Sequence, residues 1–420
     1  MTVLIAGGGI AGLTLALSLH QIGVDCRVFE STDSIQPLGV GINILPHAVR
    51  ELTELGLQDQ LAATAIPTAE LAYFSKRGQR IWSEPRGLAA GYNWPQFSIH
   101  RGELQMILLD AVRQRLGADS VATGHHLTGW AETASGIRAQ FLNRRTGEPA
   151  GNADGSVLIA ADGIHSAVRA RLYPNEGPPI WNGAILWRGV TQADPFLTGR
   201  SMIMAGHEFQ KFVAYPISRA AADQGKATIN WIAERKFPRD RAWRREDWNR
   251  AGQLDDFLPQ FADWRFDWLN VPAVIQAAEQ CYEYPMVDRD PVDRWTFGRT
   301  TLLGDAAHAM YPIGSNGASQ GVLDARVLAR ELRTHGPTKR ALLAYEAERR
   351  PATSKIVLAN RGNGPEQVMQ LVEQRARDGF ARIEDVLSSD ELEGTAAGYK
   401  RIAGFDIEAL NTRASIVRDR

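Results

Sequence analysis

Three acidic residues follow short apolar runs, and glycines crowd the loops beside them. Glu30 comes after Cys26–Phe29, Asp162 after Val157–Ala161, and Asp305 after Thr301–Leu303 and Gly304. A carboxylate at the C-terminal end of a buried strand can accept hydrogen bonds from neighbouring hydroxyls of a ribose or polyol, and glycines let backbone N–H groups approach an anion. The chemistry such residues suit is recognition of a nucleotide cofactor. Acid–base machinery is not evident, and no residue is assigned as catalytic. His125-His126 has no carboxylate or cysteine at ligand spacing and reads as a surface pair, so no metal site is expected. His308 reads as a structural hydrogen-bonding histidine.

The elements that must position these groups are legible around each. Thr2–Ala6 is a strand-like run, Gly7-Gly8-Gly9-Ile10-Ala11-Gly12 follows, and Leu13 and Leu17 begin a helical pattern. Gly7, Gly9 and Gly12 fit G-x-G-x-x-G, in which the glycines permit a tight turn, close approach to a pyrophosphate and close helix–strand packing. Glu30 lies 18 residues after Gly12 at the end of a second strand, where it suits the adenosine ribose and would reject a 2′-phosphate. A glycine-rich turn with an unrelated surface glutamate is the plainer reading, and it leaves the combination of strand, spacing, helix and terminal acid unaccounted for. The fingerprint alone does not separate FAD from NAD. Taken alone, Asp162-Gly163 is an ordinary turn. Downstream, Gly304-Asp305-Ala306-Ala307-His308 leads through Pro312 and Gly314 to Gly317-Ala318-Ser319-Gln320, where a helical pattern starts that ends near Leu332. That helix start would offer N–H groups and positive dipole to the anionic pyrimidine edge of a reduced flavin.

Together, GGGIAG with Glu30, DGIHSAVR, and GDAAHAMYPIGSNGAS resemble the class A flavoprotein aromatic hydroxylases, the single-component p-hydroxybenzoate hydroxylase-like family. His100-Arg101-Gly102-Glu103-Leu104 resembles the family's H-R-x-x-L helix start, Gly39-Val40-Gly41-Ile42-Asn43 its flavin-adjacent loop, and Tyr345-Glu346 with Arg349-Arg350-Pro351 the segment closing the FAD domain. The resemblance spans roughly residues 1–360. Ser319 departs from it, since many relatives carry Asn there. Ile185–Thr191, Val213–Ile217 and Tyr284–Pro291 are most similar to the family's phenazine hydroxylases, which replace a ring carboxylate by hydroxyl.

The resemblance implies an α/β fold, with a three-layer Rossmann-like FAD-binding domain (1–71, 99–180 and 286–365), an inserted β-sheet substrate domain (72–98 and 181–285), and a C-terminal helical segment (366–420). It implies non-covalent FAD, with NADH or NADPH as a transient co-substrate and no persistent domain for it. The implied reaction hydroxylates a small aromatic or phenazine-like heteroaromatic, with or without decarboxylation, through a C4a-hydroperoxyflavin. Carried over by position, Gly7, Gly9 and Gly12 frame the pyrophosphate, Glu30 takes the adenosine ribose, Gly41 approaches the ring, and Arg101 reaches phosphate or ribityl oxygens. Asp305 takes the ribityl chain, and Gly317 and Ala318 offer N–H groups to the isoalloxazine. Asp162 supports the loop between flavin and nicotinamide. Asn43, Tyr215, and Trp187 or Arg188 are candidates for the substrate wall, with Arg188 the candidate partner of a substrate carboxylate. Five of the 11 tryptophans fall between Trp231 and Trp268, as domain packing or as an aromatic substrate wall.

A flavin-dependent halogenase would need a W-x-W-x-I-P string, which is absent. An enzyme with a second nucleotide site would need a second fingerprint, and Gly362-Asn-Gly364 lacks both a preceding strand and a third glycine. A protein that holds FAD only to sense a ligand stays open on motifs that describe flavin binding. With 420 residues, 44% hydrophobic and 23% charged, the chain is expected to fold as two domains or one with a large insertion. A formal net charge of −1 gives no global field for nucleic acid or an anionic membrane. Two cysteines, Cys26 and Cys281, and an N-terminus without signal-peptide character lead to the expectation of a cytoplasmic protein. Oligomeric state is not legible. Gln367–Arg377, with Val368, Leu371, Val372 and Arg375 at helical spacing, is expected to form a packed helix.

Overall fold

The computed structural model describes residues 2–238, 250–362, 366–392, 394, 402, 404 and 406–417. Trp243, Trp248, Gly364 and parts of the C-terminal stretch lie outside the described residues.

Val3–Ala6 runs through the middle of a six-stranded sheet ordered Thr296–Phe297, Thr300–Leu302, Val157–Ala160, Val3–Ala6, Cys26–Phe29, Val121–Ala122. Its neighbours pair with it in parallel, Val3 with Val157 and Cys26, Ala6 with Ala160 and Phe29. All four of its residues are buried, because a parallel strand is covered on both faces and reads as a continuous apolar run. The helices Ile10–Gln21, Arg101–Leu116, Gly317–His335 and Lys339–Asn360 form one packed layer. An antiparallel sheet of His126–Glu132, Ile137–Leu142 and Pro149–Gly155 forms another, with the Phe141 ring stacked 4.3 Å from Phe29 and Gly155 lying against Leu4. This is the expected three-layer arrangement.

A second, seven-stranded sheet is ordered Cys281–Asp288, Ile180–Ala193, Ala227–Lys236, Gln210–Pro216, Ser201–His207, Glu70–Phe74, Arg80–Pro85. Side chains alternate across it. One face carries Trp187, Phe212 and Trp231 into a core with Phe257, Phe261 and Trp264. The opposite face carries Arg188, Met204, Lys211, Val213, Tyr215 and Glu234, and it looks toward the glycine loops of the first sheet across a shared cavity. The candidate Trp187 is therefore corrected. It stacks on Phe257 at 4.7 Å on the far face, and no described tryptophan lines the cavity. The helix Gln367–Arg375 ends two residues earlier than expected and buries Val368, Met369 and Val372 against Leu71, Tyr73, Met202 and Met204. No helix among the described residues is long and apolar enough to cross a membrane.

Candidate active site

The first loop is shaped by steric necessity. Gly7 has φ +112°, and a Cβ there would lie 2.3 Å from the Ala161 carbonyl oxygen. A Cβ on Gly12 would lie 2.1 Å from the Gly7 carbonyl oxygen, so any side chain drives the helix off the strand. Around Gly9 a Cβ would meet nothing within 4 Å. Gly9 is also the N-cap of Ile10–Gln21 and provides no capping side chain, which leaves the first N–H groups of that helix open to an anion. Beside it, Glu30 Oε2 accepts from Gly8 N at 2.8 Å, while Oε1 accepts from Thr32 N at 2.9 Å and Ser31 Oγ at 3.1 Å. These bonds aim the carboxylate and leave lone pairs for further donors.

Asp305 opens the short helix Asp305–His308 and is exposed to the cavity. Its loop rests on a buried network. Asp324 Oδ2 accepts from Gly304 N at 3.1 Å and binds His308 Nε2 at 2.5 Å, and Asp324 Oδ1 accepts from Arg349 Nε at 2.7 Å. Burial alone would raise the Asp324 carboxyl, but His308 and Arg349 hold it below the ordinary aspartate value. His308 thus has the structural role read from the sequence. Further along, Gly314 and Ser315 adopt φ +70° and +55°, and Asn316 caps the helix Gly317–His335 without a side-chain bond to it. The non-glycine Ser315 in that region marks strain of the kind kept at binding sites. Asn316 Nδ2 is buried without a hydrogen-bond partner beside the cavity.

Arg101 begins the helix Arg101–Leu116, and its N donates to Val40 O at 2.9 Å, tying that helix to the Gly39–Gly41 loop. Gly41 donates its N–H to Asn230 Oδ1 at 2.7 Å, and a Cβ there would strike Asn230 at 2.6 Å. Asp162 Oδ2 accepts from Ala167 N at 2.8 Å and so pins its loop, while Oδ1 is buried without a hydrogen-bond partner. Ser319 Oγ is fully buried and accepts from Leu45 N at 3.1 Å, away from the cavity.

The cavity holds about 310 Å³ and brings Gly9, Gly41, Asn43, Arg101, Asp305, Gly317 and Ala318 together with Arg188 and Tyr215. Gly7, Gly12 and Glu30 frame it without lining it. Arg188 Nη2 donates to Gly41 O at 2.9 Å, its side chain is hydrogen-bonded with Tyr215, and its Nε is buried with no partner. Burial pulls the Arg188 guanidinium below its ordinary value, and burial pushes Tyr215 up to about 12 against the opposing pull of Arg188. Asn43 Oδ1 accepts from Ser98 Oγ at 2.6 Å, so that oxygen is occupied. Lys211, Glu234, Glu366 and Asn316 also line the cavity, and the sequence reading passed over all four. Asn316 sits inside the GDAAHAMYPIGSNGAS string and could have been found there, whereas the other three carry no motif. No group of three or more metal-ligating side chains occurs among the described residues.

An uncapped helix start with open space at Gly9, a carboxylate at each of two strand ends and an unpartnered amide at a second helix start fit a long, anionic, hydroxyl-bearing cofactor. The family model described as "FAD binding domain" matches residues 1–196 and 270–360. The chain belongs to that family. It is 51% identical over 361 residues to the phenazine 1,6-dicarboxylic acid hydroxylase PhzS of Lysobacter antibioticus, covering 86% of this chain and 89% of that protein. It is 31% identical to 3-amino-4-hydroxybenzoate 2-monooxygenase PtmB3 of Streptomyces platensis over 98% of each chain. Among solved structures, a variant of HpxO from Klebsiella pneumoniae complexed with FAD superposes with a TM-score of 0.76 and 26% identity, covering 96% of this chain and 99% of that one. This protein is an FAD-dependent aromatic monooxygenase that uses NAD(P)H, and the sensor reading is set aside.

Proposed function

We propose that this monooxygenase hydroxylates a planar fused heteroaromatic carboxylate of the phenazine type, with loss of carbon dioxide where the target carbon bears the carboxylate. The observation that carries the reading is Arg188, a guanidinium set among Leu186, Ile232 and Val213 with its Nε unsatisfied. An anionic substituent entering an apolar cavity needs such a partner, since burial of an unpaired carboxylate costs several kcal/mol. The relative at 51% identity is named a phenazine 1,6-dicarboxylic acid hydroxylase, which supports the fused-ring carboxylate class.

FAD, once reduced by NAD(P)H, supplies the activation of O2. The chain's own residues bind and orient. Gly9 and the start of Ile10–Gln21 take the pyrophosphate, Glu30 the adenosine ribose, Asp305 and Arg101 the ribityl end, and Gly317 and Ala318 the pyrimidine edge, with Gly7 and Gly12 holding the loop and Gly41 beside the ring. Residues 1–71, 99–180 and 286–365 form the cofactor domain, and 72–98 with 181–285 form the cover over it. That cover excludes water through Met202, Met204, Val213 and Ile232, which protects the activated oxygen from unproductive loss, while Arg188 and Tyr215 fix the substrate's carboxylate end and thereby align the target carbon. Asn43 borders that end.

The test supplies phenazine-1-carboxylate analogues and simple hydroxybenzoates with NAD(P)H under labelled oxygen. Labelled hydroxylated product from the fused substrates is the expected result. Turnover confined to monocyclic phenols, or product without label, would reject the assignment. The cofactor placement has its own check in the FAD content of purified variants. Asp305→Ala and Glu30→Ala each remove a charged hydrogen-bond acceptor worth about 1.5–3 kcal/mol, so FAD affinity should fall roughly 10- to 150-fold in each. Flavin that remains bound in Glu30→Ala should keep the parent's spectrum, because the adenosine end is remote from the ring. Parental FAD retention by Asp305→Ala would sink the ribityl role.

A further inference from the structure

The cavity has a second polar end. Lys211 and Glu234 are directly paired across adjacent strands, and Lys211 Nζ lies 3.0 Å from Glu234 Oε2. Glu366, the residue before the helix Gln367–Arg375, bonds the same ammonium. All three border the cavity and are nearly enclosed, at 6%, 6% and 8% exposure. The family match stops at residue 360, so Glu366 is delivered by a segment outside it.

Register separates this end from Arg188. Arg188 pairs with Ile232, and Ile232 with Val213, one alternate position along the sheet from the Glu234–Lys211 row. Arg188 leans the other way, to Tyr215 and Gly41. Tyr215 and Lys211 are four residues apart on one strand, about 13 Å. A single benzene ring does not bridge that interval, and a linearly fused ring system reaches much further across it. The apolar side chains of Val213, Met204 and Ile232 lie between.

The two ends differ in sign. Arg188 offers a positive charge with an unused donor. At the other end one ammonium is shared by two carboxylates, a net charge of −1 when all three are ionised. The next charges outward, Lys236 and Glu208, form their own pair and cancel. A second carboxylate arriving there would meet two like charges and an ammonium already doubly engaged. An amine, a hydroxyl or a cationic ring substituent would instead find carboxylate acceptors. Burial, reinforced by Glu366, pushes the Glu234 carboxyl up despite Lys211, as expected where acceptors outnumber donors.

We propose that Lys211, Glu234 and Glu366 form a selectivity site that accepts a hydrogen-bond-donating or cationic substituent on the distal ring of the substrate and rejects a second carboxylate there. The proposal rests on the reading that Arg188 takes the carboxylate of a fused heteroaromatic, and it runs opposite to the dicarboxylic acid named for the relative at 51% identity, which makes the dicarboxylate the deciding ligand.

The experiment titrates the oxidised holoenzyme at pH 8, without NAD(P)H, following flavin absorbance. The ligands are phenazine-1-carboxylate, 6-aminophenazine-1-carboxylate and phenazine-1,6-dicarboxylate. The amino compound should bind the parent at least tenfold more tightly than the dicarboxylate, with the unsubstituted acid between them. Glu366→Gln and Glu234→Gln, close to isosteric, should narrow that ratio to threefold or less, chiefly by tightening the dicarboxylate. A dicarboxylate that binds the parent as tightly as the amino compound overturns the proposal alone, leaves the Arg188 reading intact, and needs no variant to fold. An unchanged ratio in a folded, FAD-loaded variant overturns it as well. If no phenazine binds and a monocyclic hydroxybenzoate does, the fused-ring reading fails and takes the selectivity site with it.

Discussion

Arg188→Met should weaken the binding of an aromatic carboxylate to the FAD-loaded protein by roughly 30- to 4,000-fold, since removing the partner of a desolvated charge costs about 2–5 kcal/mol. The size follows from the surroundings. Arg188 is enclosed by Leu186, Ile232 and Val213, and no described acidic side chain forms a salt bridge with it that could be left behind. The methionine matches the apolar floor, so the variant keeps the volume while deleting the charge and the donors. The Gly41 carbonyl loses one donor, and FAD content measured on the same samples separates loss of cofactor from loss of ligand. Arg188→Lys refines the test. It keeps a positive charge but loses the planar fork, so a carboxylate held by two parallel bonds should be recovered only in part. Equal dissociation constants in the parent and Arg188→Met would end the assignment of this residue to the substrate carboxylate.

How much of this site was legible follows from how locally each residue is determined. Gly12 was readable because its requirement is steric and local, a Cβ there meeting the Gly7 carbonyl five residues away. The Gly7 clash is instead with Ala161 on the neighbouring strand end, and Gly7 was readable only through the G-x-G-x-x-G spacing. Glu30 and Asp305 were readable as acids at the ends of apolar runs. The seven-stranded sheet was harder, because its two faces are both largely apolar and alternation does not say which one meets the cofactor. Trp187 and Arg188 are consecutive on one strand and must point to opposite faces. Either could be drawn to the cavity from sequence, never both, and only the packing of Trp187 on Phe257 decides. Lys211 and Glu234 were invisible for a different reason. Charges on a strand read as a solvated face, and this face is closed by the helix Gln367–Arg375, more than a hundred residues downstream, whose own placement depends on Leu71, Tyr73 and Met204.

The other large effect concerns the loop that carries Asp305. Asp324→Ala should destabilise the fold by about 3–5 kcal/mol, the range for breaking a buried ion pair by removing one partner. Asp324 is fully buried and serves three donors at once, Gly304 N, His308 Nε2 and Arg349 Nε. Arg349 keeps Gln320 Oε1, which moderates the loss, whereas Gly304 N has no alternative acceptor from this side chain. Gly304 sits at φ +62° directly before Asp305, so its release should loosen the turn and lower FAD retention together with stability. The pH dependence has a defined sign. The folded Asp324 carboxyl is held below its ordinary value, so its contribution is complete at neutral pH and is lost as the pH falls through the folded value. The stability gap between the parent and Asp324→Asn should therefore be widest near neutrality and close on acidification, measured by denaturant unfolding at several pH values. A gap that stays constant down through the aspartate range would mean that Asp324 is held by shape and hydrogen bonding rather than by its charge, and that the loop bearing Asp305 does not depend on the His308 and Arg349 pairing.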